Sequence, residues 1–277
     1  MSFEDLIIIP AWDIYAFDRK TGRQQWTFAS ADEFPGVSHL SLSGGRIYAA
    51  GSLRYLYAID AATGSFIWRT DLGERGFRPV VVDGVVYVGT HAEVSGGIAD
   101  GHVVAVDAVT GDILWRTQIS GGEPLNGGSK GPLAVTANLV IAPGFDGHVY
   151  ALDRSTGAPM WEFSGTGEFT AGAVVLGDVV IVPNVSGSVT GLDVATGAVL
   201  WQTPEGTTTF GPITEHDGLA VFARGTLEAY DRAGTIVWQY GGAGFHQPEL
   251  VSTPVFANGL AYSGGTGGFF AIRPPVK

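Results

Sequence analysis

The sequence predicts an all-β protein, a β-propeller of about seven four-stranded blades, and three observations carry that prediction. The first is an internal repeat: six segments share an Asp, usually a Thr-Gly, and then a Trp. They read AFDRKTGRQQW to Trp26, AIDAATGSFIW to Trp68, AVDAVTGDILW to Trp115, ALDRSTGAPMW to Trp161, GLDVATGAVLW to Trp201 and a shortened AYDRAGTIVW to Trp238. Those tryptophans recur every 37 to 47 residues, a period that suits four short strands per repeat. The second is periodicity: apolar residues come in short alternating runs and never at i, i+3, i+4, i+7 over a helix's length. The third is punctuation, with 42 glycines concentrated where one strand must reverse into the next.

The elements follow in order. Residues 1–277 read as one propeller domain with repeats at approximately 1–28, 37–70, 78–117, 131–163, 171–203, 211–240 and 252–273. In the second repeat, Ser38–Ser43 is strand A, Arg46–Ala50 strand B, Tyr55–Ile59 strand C and Phe66–Thr70 strand D. Gly44-Gly45 joins A to B; its counterparts are Asp83-Gly84, Ala137-Asn138, Gly177-Asp178, Asp217-Gly218 and Asn258-Gly259. Most of these pairs contain the glycine that a two-residue hairpin needs at positive φ. The C–D turn is Asp-x-x-Thr-Gly, in which Asp accepts backbone N–H bonds and Gly takes the left-handed position. Trp on strand D is then a packing anchor. The first repeat has no obvious strand A and the last has no strand D. Met1–Glu4 is the candidate for the missing outer strand.

Composition excludes several classes. With 45% hydrophobic residues and a mean hydropathy of +0.21, the chain suits a large core and not disorder. No cysteine means no disulfide, thiolate metal site or cysteine nucleophile. A net charge of −12, with Lys20, Lys130 and Lys277 the only lysines, argues against nucleic-acid partners. No run approaches the ~20 apolar residues of a membrane helix, so no membrane insertion is expected. Met1–Pro10 has no basic n-region, and Leu6–Ile9 is too short for a signal peptide. The chain as written reads as cytoplasmic, or as exported if a leader is missing from it.

The pattern Ala-x-Asp-x-x-Thr-Gly-x-x-x-Trp resembles the tryptophan-docking motif of the pyrroloquinoline-quinone-like, or quinoprotein-type, propellers. The copies ending at Trp26, Trp68, Trp115 and Trp161 match it fully; Gly191 replaces Ala in the fifth, and the sixth is one residue short. The resemblance covers nearly the whole chain and implies the fold. It spans several functions: quinone-dependent dehydrogenases, outer-membrane assembly scaffolds and sensor domains of bacterial kinases. The dehydrogenases imply pyrroloquinoline quinone, calcium on a Glu, Asn and Asp set, and often a vicinal disulfide. This chain has no cysteine and no recognisable ligand set, so no cofactor is expected. The scaffolds are normally exported lipoproteins, a feature this chain does not display.

Loop lengths place the candidate site. The A–B and C–D turns are minimal, so the D–A and B–C connections on the opposite face carry the length variation. Thr90–Gly101, Ser120–Gly131 and Gly241–Val251 are the insertions, and such loops on a rigid scaffold carry function. The face is expected to be ringed, at the mouth of a central channel, by candidate ligand-binding residues. Before the first strands these are Phe77, Arg78, Lys130, Phe169, Thr170, Phe210, Ser252 and Thr253. In the B–C loops they are Trp12, Arg54 and Arg224, with His91, Glu93, Asp146 and Asn184 beside them. Arg78 and Lys130 suit a carboxylate or phosphate; the alternative for both is a solvated or ion-paired role. Phe77, Phe169 and Phe210 suit an apolar wall or a channel plug. His39, Glu168 and His246 are the acid–base candidates, whereas His102 and His148, each after Gly at the start of strand C, read as structural. The chain is read as holding neither a local metal-ligand pair nor a Gly-x-Ser-x-Gly, so no nucleophile elbow is expected.

Two functions fit. The first is a non-catalytic propeller that binds a protein, peptide or small ligand on its long-looped face. The alternative is a cofactor-independent enzyme of lyase, isomerase or cyclase type at the same channel mouth. An enzyme requires a carboxylate or imidazole with a shifted pKa in an enclosed pocket, and a partner surface requires exposed aromatic or Arg anchors.

Overall fold

The computed structural model describes residues 1–29, 37–51, 54–91, 100–120, 127–206, 211–224, 226–241, 253–265 and 268–275. The chain is an all-β propeller of seven blades with no helix among the described residues. Its blades fall into two compact units, Met1–Leu133 and Ala134–Lys277.

The first unit holds three four-stranded antiparallel blades. Blade 1 is β1 (Ser2–Phe3), β2 (Leu6–Pro10), β3 (Ile14–Asp18) and β4 (Gln24–Phe28). Blade 2 is β5 (Val37–Ser43), β6 (Arg46–Gly51), β7 (Tyr55–Asp60) and β8 (Phe66–Asp71). Blade 3 is β9 (Arg75–Val82), β10 (Val85–His91), β11 (Gly101–Asp107) and β12 (Ile113–Ser120).

The second unit holds four blades. Blade 4 is β13 (Ala134–Val135), β14 (Leu139–Pro143), β15 (His148–Asp153) and β16 (Pro159–Ser164). Blade 5 is β17 (Val174–Leu176), β18 (Val179–Pro183), β19 (Val189–Asp193) and β20 (Val199–Gln202). Blade 6 is β21 (Thr214–His216), β22 (Leu219–Arg224), β23 (Thr226–Tyr230) and β24 (Ile236–Tyr240). Blade 7 has three strands among the described residues: β25 (Val255–Ala257), β26 (Leu260–Gly265) and β27 (Gly268–Ile272).

Blade 1 corrects one expectation. Met1–Glu4 does not serve as an outer strand: Ser2 and Phe3 pair with Ile7 and Leu6, so β1 is the first strand of its own blade. The turn is a tight one through Glu4 at φ +50°, and a non-glycine residue at positive φ hid it from a search for glycine pairs. Four of the other A–B turns place both central residues at positive φ, as at Asp83-Gly84 and Asn258-Gly259. Ala137-Asn138 departs from that rule. There the Thr136 hydroxyl accepts from the N–H groups of Asn138 and Leu139, at 3.3 and 2.9 Å, and closes the turn without a left-handed residue.

The Asp-x-x-Thr-Gly turns work through the carboxylate. Asp60 Oδ1 accepts from the N–H of Ala62 and Thr63 and from the Thr63 hydroxyl, at 2.8 to 3.1 Å. Equivalent bonds at Asp153, led by the Ser155 and Thr156 hydroxyls, hold its carboxyl down at about 2. In blades 1 to 5 the C–D turn is also tied to the A–B turn of its own blade. Ala61 N–H bonds the Gly45 carbonyl and Ala108 N–H the Gly84 carbonyl, both at 2.9 Å. Both turn types therefore share one face. The D–A and B–C connections meet on the other, where Leu72 N–H bonds the Arg54 carbonyl and Val185 N–H the Glu168 carbonyl.

The core lies between neighbouring blades. Ile8, Ile14 and Trp26 of blade 1 pack on Ile47, Tyr57 and Ile59 of blade 2, and Tyr48, Leu56 and Trp68 pack on Val86, Val104 and Val106 of blade 3. In the second unit the same layering joins blades 4 to 5, 5 to 6 and 6 to 7. Four of the repeat tryptophans reach the glycine of the next blade's C–D turn. A Cβ on Gly64, Gly111, Gly197 or Gly234 would stand 2.6 to 2.8 Å from the ring of Trp26, Trp68, Trp161 or Trp201. Three indole N–H groups bond the carbonyl following the next repeat's Asp: Trp68 to Ala108, Trp161 to Val194 and Trp201 to Arg232.

Gly191, the one departure from Ala among the repeats, has a steric cause. It pairs with Trp201 across the β19–β20 ladder, and a Cβ there would sit 2.2 Å from the indole. Gly191→Ala is expected to cost about 1–3 kcal/mol by overpacking. Urea denaturation of the variant checks this, with loss of the Trp201 fluorescence environment as a second readout.

Candidate functional site

Two irregular strands build the site in the first unit. The pairing of β5 with β6 slips between Val37 and His39, and that of β9 with β10 slips between Phe77 and Val80. Bulges re-aim side chains; the first lies at the start of β5 and the second midway along β9, with Arg75–Phe77 paired to β10 on the side of the D–A and B–C connections. At the second, Arg78 sits at φ +40° immediately before Pro79. Left-handed backbone costs a non-glycine residue of order 1–3 kcal/mol, and the residue before proline is pushed towards extended geometry. The surrounding ladder holds Arg78 in this conformation.

Four residues singled out from the sequence come together here. The His39 ring lies 5.8 Å from that of Phe77, and Phe77 meets His91 edge-on at 6.5 Å. Arg75 places its guanidinium carbon 5.8 Å from the same phenyl centroid. His91 is buried, and its Nδ1 contacts the Gly127 carbonyl, so Nδ1 carries the proton and Nε2 is the acceptor. Burial, reinforced by the charge of Arg78, lowers the His39 pKa to about 4, and at pH 7 the imidazole is neutral. Arg78 is half-buried, and burial lowers its pKa as well.

The other candidates are placed differently. Arg54 pairs with Asp71 at 2.6 Å, and Arg224 forms a buried pair with Glu228 at 2.9 Å. Phe169 is fully buried against Phe163 in the blade 4–5 core. Trp12, the tryptophan outside the repeat, is 68% exposed on the B–C connection of blade 1. Lys130, Glu168, Thr170 and Thr253 are half-buried. Asp146 accepts from the Tyr150 hydroxyl at 2.6 Å, and Asn184 accepts from Ser186 and the Ser188 N–H. Phe210, Ser252, His246 and Glu93 lie outside the described residues, as do most of the three insertions.

Three features escaped the sequence reading. Glu74 is the centre of a polar network, accepting from Thr90, from His102 at 3.0 Å and from Arg116 at 2.7 Å. Burial raises its pKa, but the His102 and Thr90 hydrogen bonds and the Arg116 charge outweigh this, and the net shift is downward. Gly127-Gly128-Ser129-Lys130-Gly131 spells Gly-x-Ser-x-Gly. The structure gives it another setting: Ser129 is fully buried, packs against Gly89 and joins β10 through a bond to the Thr90 carbonyl. With no strand-to-helix turn, it is not a nucleophile elbow.

The third feature lies in the second unit, on the turn face. A cavity of about 450 Å³ is lined by His216, Leu219, Val237, Trp238, Pro274 and Pro275, among others. In four other blades a Thr-Gly turn packs against the preceding tryptophan; here Arg273-Pro274-Pro275 follows strand C instead, and Trp238 borders open space. The turn face is therefore less featureless than its minimal loops suggest. Among the described residues no three His, Cys, Asp or Glu side chains converge as metal ligands. No helix of the structure is long and apolar enough to cross a membrane.

Comparison with known proteins gives a consistent family. The family model described as outer membrane protein assembly factor BamB matches residues 11–170 and again 145–274. The outer membrane protein assembly factor BamB of Yersinia pestis is 34% identical over 103 residues. That match covers 29% of this chain and only 26% of the relative's length. The BamB structure from Moraxella catarrhalis superposes over 96% of this chain and 77% of its own, with a TM-score of 0.69 at 20% identity. A europium-containing methanol dehydrogenase superposes over 97% and 74%, with a TM-score of 0.76 at 16% identity. At such identities the two structures share the fold.

Proposed function

The chain belongs to the family of outer membrane protein assembly factor BamB, and from that premise we propose that it is a non-catalytic propeller binding a protein partner. The observation that carries the proposal is the family match, which runs through both units of the chain. The binding surface in this reading is the face of the D–A and B–C connections. Its support is local: Trp12 is exposed there, and His39, Phe77, Arg78 and His91 gather at its strand ends. Exposed aromatic and arginine side chains are the usual anchors of protein interfaces.

The likeness to a quinone-type dehydrogenase fold raises the question of a cofactor. Calcium beside a quinone needs converging carboxylate oxygens, and the described residues offer no such cluster. Arg224, a cation suited to a quinone carboxylate, is committed to Glu228. The described residues lend the group no support, and the proposed activity uses none.

Photo-crosslinking tests the reading. A benzophenone side chain replaces Trp12 or Arg54 on the loop face, or the exposed Val109 on the turn face as control. The expected result is one polypeptide captured from positions 12 and 54 and absent from position 109. Equal capture at all three positions, or none at 12 and 54, overturns it.

A further inference from the structure

We propose that Arg78 is the anchor of a carboxylate-binding site at the bulges of β5 and β9; that the carboxylate belongs to a polypeptide rests on the partner-binding reading above. The first support is the isolation of Arg78 among its kind. Arg19, Arg54, Arg116, Arg224 and Arg232 each pair with a carboxylate, and Arg46 caps the Ala108 carbonyl. Among the described residues Arg78 has no hydrogen bond, ion pair or ring contact, and only its charge is felt, by His39. It is nonetheless half-buried, where an unpaired charge is costly.

The second support is the backbone. The Arg78-Pro79 bulge holds a non-glycine residue at φ +40°. Strain retained at one position marks a place where function is a sound hypothesis. Here it sets the direction in which the Arg78 side chain leaves the strand.

The third support is the lining. Phe77 supplies an apolar wall, and His39 stands beside it with a neutral imidazole at pH 7. Arg75 lies against the phenyl ring and His91 is turned to the Gly127 carbonyl. One unpaired planar guanidinium next to a neutral imidazole matches a single planar monoanion, which it binds through two parallel N–H bonds. A phosphate dianion would bring excess charge into a chain that already carries −12.

Nuclear magnetic resonance of the imidazole side chains tests the site in the intact chain. The probes are sodium acetate, inorganic phosphate and sodium chloride at matched ionic strength. Acetate is expected to shift the His39 resonances saturably and to raise the His39 pKa from about 4 by one unit or more. Arg78→Gln should abolish the response at least tenfold in affinity, with His102 resonances unchanged as the check on folding. Arg78→Lys should retain a weaker one. Equal responses to acetate and chloride, or an unaltered acetate response in Arg78→Gln, overturn the site; a stronger response to phosphate overturns the carboxylate assignment.

A capped Gly-Glu-Gly peptide, with its Gln counterpart as control, separates the sources. Tighter binding than acetate supports a polypeptide carboxylate, and equal binding supports the site while removing its polypeptide ligand. Acetate binding without a crosslinked partner leaves the site standing and removes the partner-binding reading alone.

Discussion

Trp68→Ala is expected to lower stability by about 3–5 kcal/mol, the cost of emptying a large buried site. Trp68 is 8% exposed and lies between blades 2 and 3, with the Tyr48 ring 5.9 Å away and Gly111 beneath it. Its hydrogen bond is a minor part of the loss. The Ala108 carbonyl that accepts from Trp68 at 3.4 Å also accepts from Tyr48 at 3.0 Å and Arg46 at 2.8 Å, so it stays satisfied without the indole. The cavity remains because the Gly111 turn is held by Asp107 through two backbone bonds of 2.8 Å and does not collapse inward. At this chain length the change amounts to a fall in Tm of about 10 °C. Trp12→Ala, at an exposed position, should stay within about 0.5 kcal/mol. Calorimetry on the two variants decides: a Trp68→Ala loss no larger than that of Trp12→Ala sinks the packing argument.

The same tryptophan explains why so much of the fold was legible. A residue that must meet the next blade's glycine recurs with the blade, and its Asp partner recurs with it. The spacing therefore reports the architecture directly. What escaped notice was whatever the repeat does not enforce. Glu4 turns the chain with no glycine, so the first strand of blade 1 carried no signature. Arg273-Pro274-Pro275 breaks the C–D pattern, and the cavity it leaves beside Trp238 is a consequence of packing that no local spelling announces.

The candidate site was legible in part for a related reason. Loop-length arithmetic pointed to the ends of the first strands, and His39, Phe77, Arg78 and His91 do meet. The bulges that bring them together were signalled only by Pro79 inside a strand, since proline removes a ladder donor. Charge pairing was harder to foresee. Arg54, Arg78 and Arg224 look alike in sequence, but Asp71 reaches the first and Glu228 the third, whereas among the described residues no acidic side chain reaches the second. Such distinctions depend on which side of a strand the neighbouring acid occupies, and alternation alone does not resolve it across a bulge.

Glu228→Ala should be nearly as damaging as the tryptophan loss, at about 3–5 kcal/mol, because it strands a buried charge. Glu228 and Arg224 sit four residues apart on the paired strands β23 and β22, with side chains 4% and 16% exposed. The carboxylate also accepts from the Tyr230 hydroxyl at 2.9 Å and from Gln239 at 3.2 Å. Burial, followed by the Glu228 charge, pushes the Tyr230 phenol well above its ordinary range and keeps it a donor. Removing the carboxylate leaves Arg224 and Tyr230 without their charged acceptor, and Arg224 retains the Gly187 carbonyl and a 3.4 Å bond to the Tyr230 hydroxyl, both neutral. The pair itself contributes far less than its rupture costs, since desolvating both ions offsets most of their attraction. Arg224→Met combined with Glu228→Leu is therefore expected to recover most of the loss, to within about 1–2 kcal/mol of the parent. Denaturant titration of the single and double variants separates the two quantities. A double variant as unstable as Glu228→Ala would show that the ion pair, and not the stranded charge, holds blade 6 together.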